Sequence, residues 1–182
     1  MQNWNYGNDG AYFITICTKE RKHYFGTIEN GLMQVSPAGA IAHVLWNEIK
    51  NHVLNVNLGE FVVMPNHVHG ILILNGKNDK DNDGRDVGKG RDVACNVPAD
   101  TDTDTGIKSN QQMSLISPKP NTVSTIIPSY KSAVTKYCHR LDLPFEWQTR
   151  FHDHIIRNEE SFVRISEYIK NNPINWKDDK FY

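Results

Sequence analysis

The chain has 182 residues, which is long enough for one well-packed domain. It has 20 Lys and Arg against 21 Asp and Glu, a formal net charge of −1, so it lacks the general cationic bias of nucleic-acid-binding domains. The first twenty residues contain no apolar signal-peptide core, and no run approaches the roughly 18 apolar residues of a membrane span. The three cysteines, Cys17, Cys95 and Cys138, are odd in number and lack metal-knuckle spacing, so we expect a reduced, cytoplasmic protein without a membrane segment.

The N-terminal part of the sequence predicts a strand, a hairpin and a helix. Residues 11–18 alternate with fairly apolar side chains on both faces, which is typical of a central strand. Asn30-Gly31 separates two short β-prone runs and predicts a hairpin turn. Ser36-Pro37 predicts the start of a helix, because Ser caps the first turn and Pro needs no N–H there. We expect this helix to run to about Val53.

The next stretch, residues 60–74, is an apolar run that is interrupted by Pro65-Asn66 and by two histidines. It predicts two buried strands, 60–64 and 68–74, joined by a turn or a bulge. Side chains alternate along a strand, so His67 and His69 point to the same face, about 6–7 Å apart at roughly 3.3 Å per residue. Burying two imidazoles without partners costs about 1–3 kcal/mol each. The pair therefore predicts a metal site with a further ligand elsewhere in the chain.

Residues 75–120 differ in character from the rest of the chain. Gly-Arg-Asp-Val occurs at 84–87 and again at 90–93, Thr and Asp alternate from 100 to 105, and large apolar residues nearly vanish. Such a segment cannot bury enough apolar surface to offset its ordering entropy. We predict a single domain spanning residues 1–182, with a polar mobile insertion at about 75–120.

The C-terminal part predicts a helix, a strand and a last helix. The first helix covers residues 123–141, and residues 146–157 form an extended segment that ends in a strand. On that strand one face carries Phe151, Asp153 and Ile155, and the other carries His152, His154 and Ile156. Asn158 predicts the cap of the last helix, which ends at Pro173.

Tyr168 and Asn172 are four residues apart on the last helix and so share one face. If that face packs against the histidine strand, two imidazoles and an amide oxygen surround a cation, with a phenol alongside. Neutral ligands leave the charge of the ion uncompensated, so it can bind and polarise a phosphodiester. The same charge would favour ionisation of the phenol, which could then attack phosphorus. Spacing alone leaves open that Tyr168 is a packing residue, and makes Tyr130 and Tyr137 equally eligible.

Three motifs in this order give the chain a family resemblance. They are Met64-Pro-Asn-His-Val-His69, Trp147-Gln-x-Arg-Phe-x-x-His-x-Ile-Arg-Asn158 and Tyr168-Ile-x-x-Asn-Pro173, and the opening Gly10-Ala-Tyr-Phe-Ile-Thr-Ile-Cys-Thr18 is also similar. Together they resemble the single-tyrosine HUH transposases, specifically the REP-associated tyrosine transposases and their insertion-sequence relatives. The resemblance covers nearly the whole chain except residues 75–120. The polar insertion and the absence of a basic bias are departures from the family pattern.

The resemblance implies an α+β fold, a ferredoxin-like sandwich in which an antiparallel sheet has its helices packed on one face. It implies that His67 and His69 bind Mg²⁺ or Mn²⁺, that Asn172 fills the place of the third ligand, and that Tyr168 is the nucleophile. Family members cleave single-stranded DNA next to a hairpin through a 5′-phosphotyrosine with a free 3′-OH, and the reverse step rejoins strands. Some members are dimers that exchange the tyrosine helix and others are monomers, so a homodimer stays open.

Five residues beside the matched motifs are candidates for DNA contacts, namely Lys131, Arg150, His152, His154 and Arg157. Ordinary surface charges would show the same pattern, and either His152 or His154 could instead assist proton transfer. Two other functions compete with the transposase interpretation. One is a non-catalytic protein that binds DNA hairpins, and the other is a small-molecule phosphodiesterase that uses a metal-activated water.

Overall fold

The computed structural model describes residues 10–75, 121–179 and 181–182. It divides the chain into one unit of residues 1–76 and 119–182 and a second unit of residues 77–118. Apart from Asn75, the insertion expected at about 75–120 lies outside the described residues, as does Cys95. The single domain with a mobile insertion therefore stays a prediction.

The described residues form strands and helices at the positions that the sequence indicates, with small shifts at their ends. The strands are β1 (Gly10–Cys17), β2 (Gly26–Glu29), β3 (Leu32–Val35), β4 (Val56–Met64), β5 (His67–Leu74) and β6 (His152–Ile156). The helices are α1 (Pro37–His52), α2 (Val123–Arg140) and α3 (Glu159–Asn171). A short 3-10 turn, Trp176–Asp178, follows α3. None of the helices in these ranges is both long and apolar enough to cross a membrane.

Local sequence signals account for the ends of these elements. Asn30 and Gly31 join β2 to β3 with φ of 52° and 75°, the positive pair that a tight hairpin turn requires. Ser36 caps α1 by accepting a hydrogen bond from the Gly39 N–H at 3.1 Å, and Pro37 is the first helical residue. Asn158 caps α3 in the same way, by accepting from the Ser161 N–H at 2.8 Å.

The main sheet has four antiparallel strands in the order β4-β5-β1-β6. Helix α1 connects β1 to β4 by way of the β2–β3 hairpin, and α2 lies between β5 and β6. This order of strands and helices is that of the ferredoxin-like fold. The predicted α+β class with an antiparallel sheet is confirmed.

The helices lie on both faces of the sheet, so the expectation that they all pack on one face is wrong for α3. Tyr12, Ile14 and Ile16 of β1 belong to the core that is covered by α1 and α2. Ala11 and Phe13 point the other way and pack with the stripe of α3, which consists of Phe162, Ile165 and Ile169. The physical reason is that β1 is apolar on both faces, so each face needs a cover. His67 and His69 lie on the face that α3 covers.

Candidate metal and nucleophile site

The two histidines open β5, directly after the Pro65-Asn66 turn, and both are buried, with relative exposures of 0% for His67 and 1% for His69. Their ring centroids are 4.4 Å apart. The register pairs His69 with Thr15 of β1 on one side and with Val62 of β4 on the other. The imidazoles therefore lie in the middle of the sheet rather than at its edge.

Hydrogen bonds from neighbouring side chains orient both rings. The Asn66 amide donates through Nδ2 to the carbonyl of Phe181 at 2.8 Å, so its Oδ1 faces Nδ1 of His67, also at 2.8 Å. An amide oxygen only accepts, so Nδ1 of His67 carries the proton and Nε2 carries the lone pair that a metal requires. Nδ1 of His69 lies 2.8 Å from the hydroxyl of Thr15. Such outer partners are typical of metal-binding histidines.

Helix α3 brings Tyr168 and Asn172 to this pair. The phenol oxygen of Tyr168 lies 3.3 Å from Nε2 of His69, and its ring packs edge-on against Phe13. Asn172 is 2% exposed, and its buried Oδ1 has no hydrogen-bond partner among the residues that the structure describes. An unpartnered buried amide oxygen is costly unless it binds something. Its position therefore fits the ligand role that the family resemblance implies for Asn172.

One acidic residue at the site was missed by the sequence analysis. The carboxylate of Asp179 accepts hydrogen bonds from the Tyr168 hydroxyl at 2.8 Å and from the Asn172 amide at 2.6 Å, both through Oδ2. One ligand atom each from His67, His69 and Asp179 lies within 4.8 Å of the others. No spacing rule separates Asp179 from its neighbour Asp178, because the contact depends on the chain turning back after Pro173.

The electrostatics of the phenol follow from these contacts. Burial, with the hydrogen bond and negative charge of Asp179, raises the pKa of Tyr168 above its usual range. Burial acts to raise the pKa of Asp179 as well, but hydrogen bonds from the Phe181 N–H, Asn172 and Tyr168 outweigh it and hold that pKa below its usual range. The protein groups alone thus oppose ionisation of the phenol, and the activation expected from the sequence needs the positive charge of an ion.

The last residues of the chain cover the histidines. The Phe181 ring lies 4.7 Å from the His67 ring and 5.7 Å from the His69 ring, between centroids, and the Trp176 ring lies 5.9 Å from His67. The guanidinium of Arg21 lies 5.2 Å from the centroid of Phe181. Aromatic rings therefore screen the imidazoles from water, which strengthens electrostatic interactions within the site.

The other two eligible tyrosines lie elsewhere. Tyr130 is buried in the core between the sheet and α1, where its hydroxyl donates to the Ala42 carbonyl at 3.0 Å and burial raises its pKa. Tyr137 is exposed on α2, next to Arg140. Helix α2 covers the opposite face of the sheet from the histidines. Tyr168 is therefore the one of these three that the fold brings to the histidine pair.

The candidate DNA contacts separate into two groups. His152 and His154 are exposed on β6 and pair with Thr15 and Phe13, so they share the face of the histidine pair. Arg157 is exposed directly after that strand. Lys131 lies on α2 instead, where its ammonium donates to the carbonyls of Gln148 and Thr149 at 2.7 and 3.0 Å.

Lys131 and Arg150 line one cavity of about 400 Å³, together with Phe151. Burial lowers the pKa of Lys131, and its ammonium is already used to hold the neighbouring backbone. The structure therefore gives Lys131 a supporting contact within the fold. Its predicted contact with DNA stays a prediction, as do those of the other four candidates.

The donor set suits a divalent cation. Imidazole nitrogens suit first-row transition metals such as Mn²⁺, and amide and carboxylate oxygens suit both Mg²⁺ and Mn²⁺. The oriented tautomer of His67 and the unpartnered Oδ1 of Asn172 are what such an ion would use. The residues present therefore fit the metal that the resemblance implies.

Comparison with known proteins gives a relative by sequence and a solved structure with a similar fold. A scan against protein-family models finds no match. A Haemophilus influenzae protein described as uncharacterized is 34% identical over 184 residues, which cover 100% of this chain and 90% of that protein. A solved structure of a REP-associated tyrosine transposase bound to a REP hairpin matches with a TM-score of 0.57 and 16% identity, over 99% of this chain and 76% of the other. At that identity the structural likeness shows a shared fold.

Proposed function

The chain belongs to one family with the Haemophilus influenzae protein and shares the fold of a REP-associated tyrosine transposase, and from these premises we propose that it cleaves and rejoins single-stranded DNA beside a hairpin. One observation carries the proposal: the 3.3 Å separation between the Tyr168 hydroxyl and Nε2 of His69. A phenol beside an oriented pair of imidazoles provides a nucleophile next to a metal site. The neighbour's bound hairpin supports DNA as the partner, and we include a cytoplasmic location in the proposal.

In the proposed reaction, the Tyr168 oxygen attacks the phosphorus of a phosphodiester. A bond forms between that oxygen and phosphorus, and the bond from phosphorus to the 3′-oxygen breaks. The phenol proton is lost to solvent, to which Tyr168 is 41% exposed, and the leaving 3′-oxygen takes up a proton. The products are a 5′-phosphotyrosine and a free 3′-OH. The reverse reaction joins the strands without another energy source, because one phosphoester bond replaces another.

His67, His69 and Asn172 are the residues that would hold Mg²⁺ or Mn²⁺. When bound, the ion would polarise a non-bridging phosphate oxygen and favour the ionised phenol against the opposing effect of burial. The surrounding residues hold the side chains of the site in position for that step. Asn66 and Thr15 fix the two rings, and Phe13 supports the Tyr168 ring from the sheet.

The nucleophile and the histidine pair come from the same chain. Tyr168 lies on α3 and His69 on β5, and their contact needs no exchange of a helix between subunits. We propose that one chain suffices for cleavage. His152 and His154 on the same sheet face, with Arg150 and Arg157, are the proposed contacts with the DNA strand, and either histidine could protonate the leaving oxygen.

The test is a covalent-adduct assay with the full chain, Mn²⁺ and a labelled DNA hairpin that has single-stranded flanks. We expect an adduct that survives denaturing electrophoresis, disappears with a chelator and is lost in Tyr168→Phe. Tyr137→Phe is the matched control, because it changes an exposed tyrosine on the opposite face, and it should leave the adduct unchanged.

Other outcomes would replace the proposal. Hairpin binding that is indifferent to chelator and to Tyr168→Phe, with no adduct from the wild type, would identify a non-catalytic hairpin-binding protein. Phosphodiester hydrolysis that persists in Tyr168→Phe would identify a metal-activated water as the nucleophile.

A further inference from the structure

The C-terminal segment, residues 174–182, is anchored on the histidine pair at several points. Asn66 donates to the carbonyl of Phe181, and the Phe181 N–H donates to Oδ1 of Asp179 at 2.7 Å. Phe181 and Trp176 are buried, with exposures of 5% and 7%. The buried rings of Trp176 and Phe181 precede and follow Asp179 in the sequence, and the Phe181 N–H binds its carboxylate. These contacts hold the carboxylate of Asp179 at the site.

We propose that Asp179 is a ligand of the same ion as His67 and His69, so that the C-terminal segment is part of the metal centre. The inference deepens the proposed function and rests on it only in requiring an ion at the histidine pair. Its geometric basis is a cluster in which His67, His69 and Asp179 each offer one ligand atom within 4.8 Å of the others.

The hydrogen bonds of Asp179 leave room for an ion. A carboxylate has about four acceptor positions. The described residues fill three of them, with the Phe181 N–H on Oδ1 and with Tyr168 and Asn172 on Oδ2. Oδ1 therefore keeps an acceptor position that an ion can use while all three hydrogen bonds persist. Asn172 is tied to Asp179 through its Nδ2, and its own Oδ1 is buried with no hydrogen-bond partner among the described residues.

Charge balance favours the same assignment. Two imidazoles and an amide bring no negative charge, and a buried divalent ion with neutral ligands alone is costly. With Asp179 the ligand set carries one negative charge and leaves the ion with one positive charge. A single phosphodiester carries one negative charge, so the site would be neutral with one backbone phosphate bound and the phenol of Tyr168 still protonated. The substrate class that follows is a monoanionic phosphodiester rather than a dianionic terminal phosphate.

The competing explanation is that Asp179 only holds Tyr168 and Asn172 in place by hydrogen bonds. Asp179→Asn removes the charge but keeps only one of the two acceptor oxygens, so it also breaks part of the hydrogen-bond network. The comparison with Tyr168→Phe, which removes one of these hydrogen bonds and keeps the carboxylate, separates the two explanations. Asp178→Asn is the matched control, since it removes the adjacent charge from an exposed residue of the same segment. Tyr168→Phe is a second control, because it removes a hydrogen bond to Asp179 without removing any ligand.

The experiment measures the dissociation constant of Mn²⁺ for the full chain without DNA, by calorimetry or by the electron paramagnetic resonance of free Mn²⁺. We expect Asp179→Asn to weaken binding about 10-fold or more, and Asp179→Glu to recover part of the loss. Asp178→Asn and Tyr168→Phe should remain within about threefold of the wild type. Melting curves in chelator identify any variant that fails to fold, in which case Asp179→Glu against Asp178→Glu carries the comparison.

Two results would overturn the inference, namely wild-type affinity in Asp179→Asn, or equal affinity of the wild type and His67→Ala. The adduct assay separates this failure from that of the proposed function. If the wild type forms the tyrosine adduct while Asp179→Asn binds Mn²⁺ normally, only the inference fails. If Asp179→Asn loses Mn²⁺ while no protein forms an adduct, only the proposed function fails.

Discussion

The phenol oxygen of Tyr168 lies 3.3 Å from Nε2 of His69, across 99 positions of the sequence. The contact exists because α3 packs on the sheet face that carries the histidines, with Phe162, Ile165 and Ile169 against Ile71 and Ile156. The apolar stripe of the helix therefore sets the position of Tyr168, the proposed nucleophile. Residues that orient the His69 ring should therefore also affect the position of Nε2 relative to the Tyr168 hydroxyl.

Thr15→Val tests the orientation of His69. Thr15 is buried, and valine keeps its shape while removing the hydroxyl that lies 2.8 Å from Nδ1 of His69. Loss of such a partner typically weakens metal binding 10–100-fold. We expect this loss in calorimetric titration with Mn²⁺, and expect Thr15→Ser to bind like the wild type. Equal affinities for the valine and serine variants would show that the hydroxyl does not support a metal ligand.

Asn66→Ala tests the connection between His67 and the end of the chain. The change removes the bonds to Nδ1 of His67 and to the Phe181 carbonyl. We expect the free energy of unfolding in urea to fall by about 1–3 kcal/mol, because both groups are buried, and Mn²⁺ affinity to fall as well. Asn57→Ala, at an exposed position of β4, should change neither quantity. Unaltered stability in Asn66→Ala would contradict the anchoring of residues 174–182.

The sequence predicts the parts of this site that depend on local patterns. Alternation along β5 places His67 and His69 on one face of that strand, and helical spacing places Tyr168 and Asn172 on one face of the last helix. Both rules need only a few neighbouring residues, so a sequence is enough to apply them. The two apolar faces of β1 also indicate that helices cover both faces of the sheet. The expectation that all helices pack on one face did not take the second apolar face into account.

Other features depend on contacts between distant segments. Asp179 joins the site through a turn after Pro173, and Asp178 beside it is exposed, so composition cannot tell the two apart. Lys131 resembles any cation on a helix surface, yet its ammonium binds two carbonyls of the segment before β6. Such roles follow from which segments pack together, which a single sequence does not specify.

The pH dependence of stability tests the environment of Asp179. Its pKa is held below the usual value despite burial, so its contribution to stability is present above the unfolded pKa of about 3.9 and is lost as the pH falls through the lower folded value. The gap in unfolding free energy between wild type and Asp179→Asn, measured in chelator, should therefore be larger at pH 7 than at pH 3. Asp178→Asn is the control for the net charge. A gap that widens at acid pH would contradict the assigned hydrogen bonds.

Gly70→Ala tests the packing behind the histidine strand. A Cβ at this position would lie 2.3 Å from Cζ2 of Trp46, which is fully buried and stacks on Phe61 with ring centroids 4.6 Å apart. Overpacking of this kind costs about 1–3 kcal/mol. In urea unfolding we expect that loss in Gly70→Ala, and a smaller added loss when the same change is made in Trp46→Leu. Additive effects would show that the clash is relieved elsewhere.

The most direct test of the central claim is the mass of the peptide that carries the DNA. After reaction with the hairpin substrate and Mn²⁺, nuclease trimming and proteolysis, we expect a 5′-linked nucleotide on Tyr168 and on no other residue. Tyr182 provides an internal comparison, because it is exposed and its ring lies 5.4 Å from Trp176 at the edge of the same site. A nucleotide on Tyr182, or a cleaved strand with every tyrosine unmodified, would contradict the account.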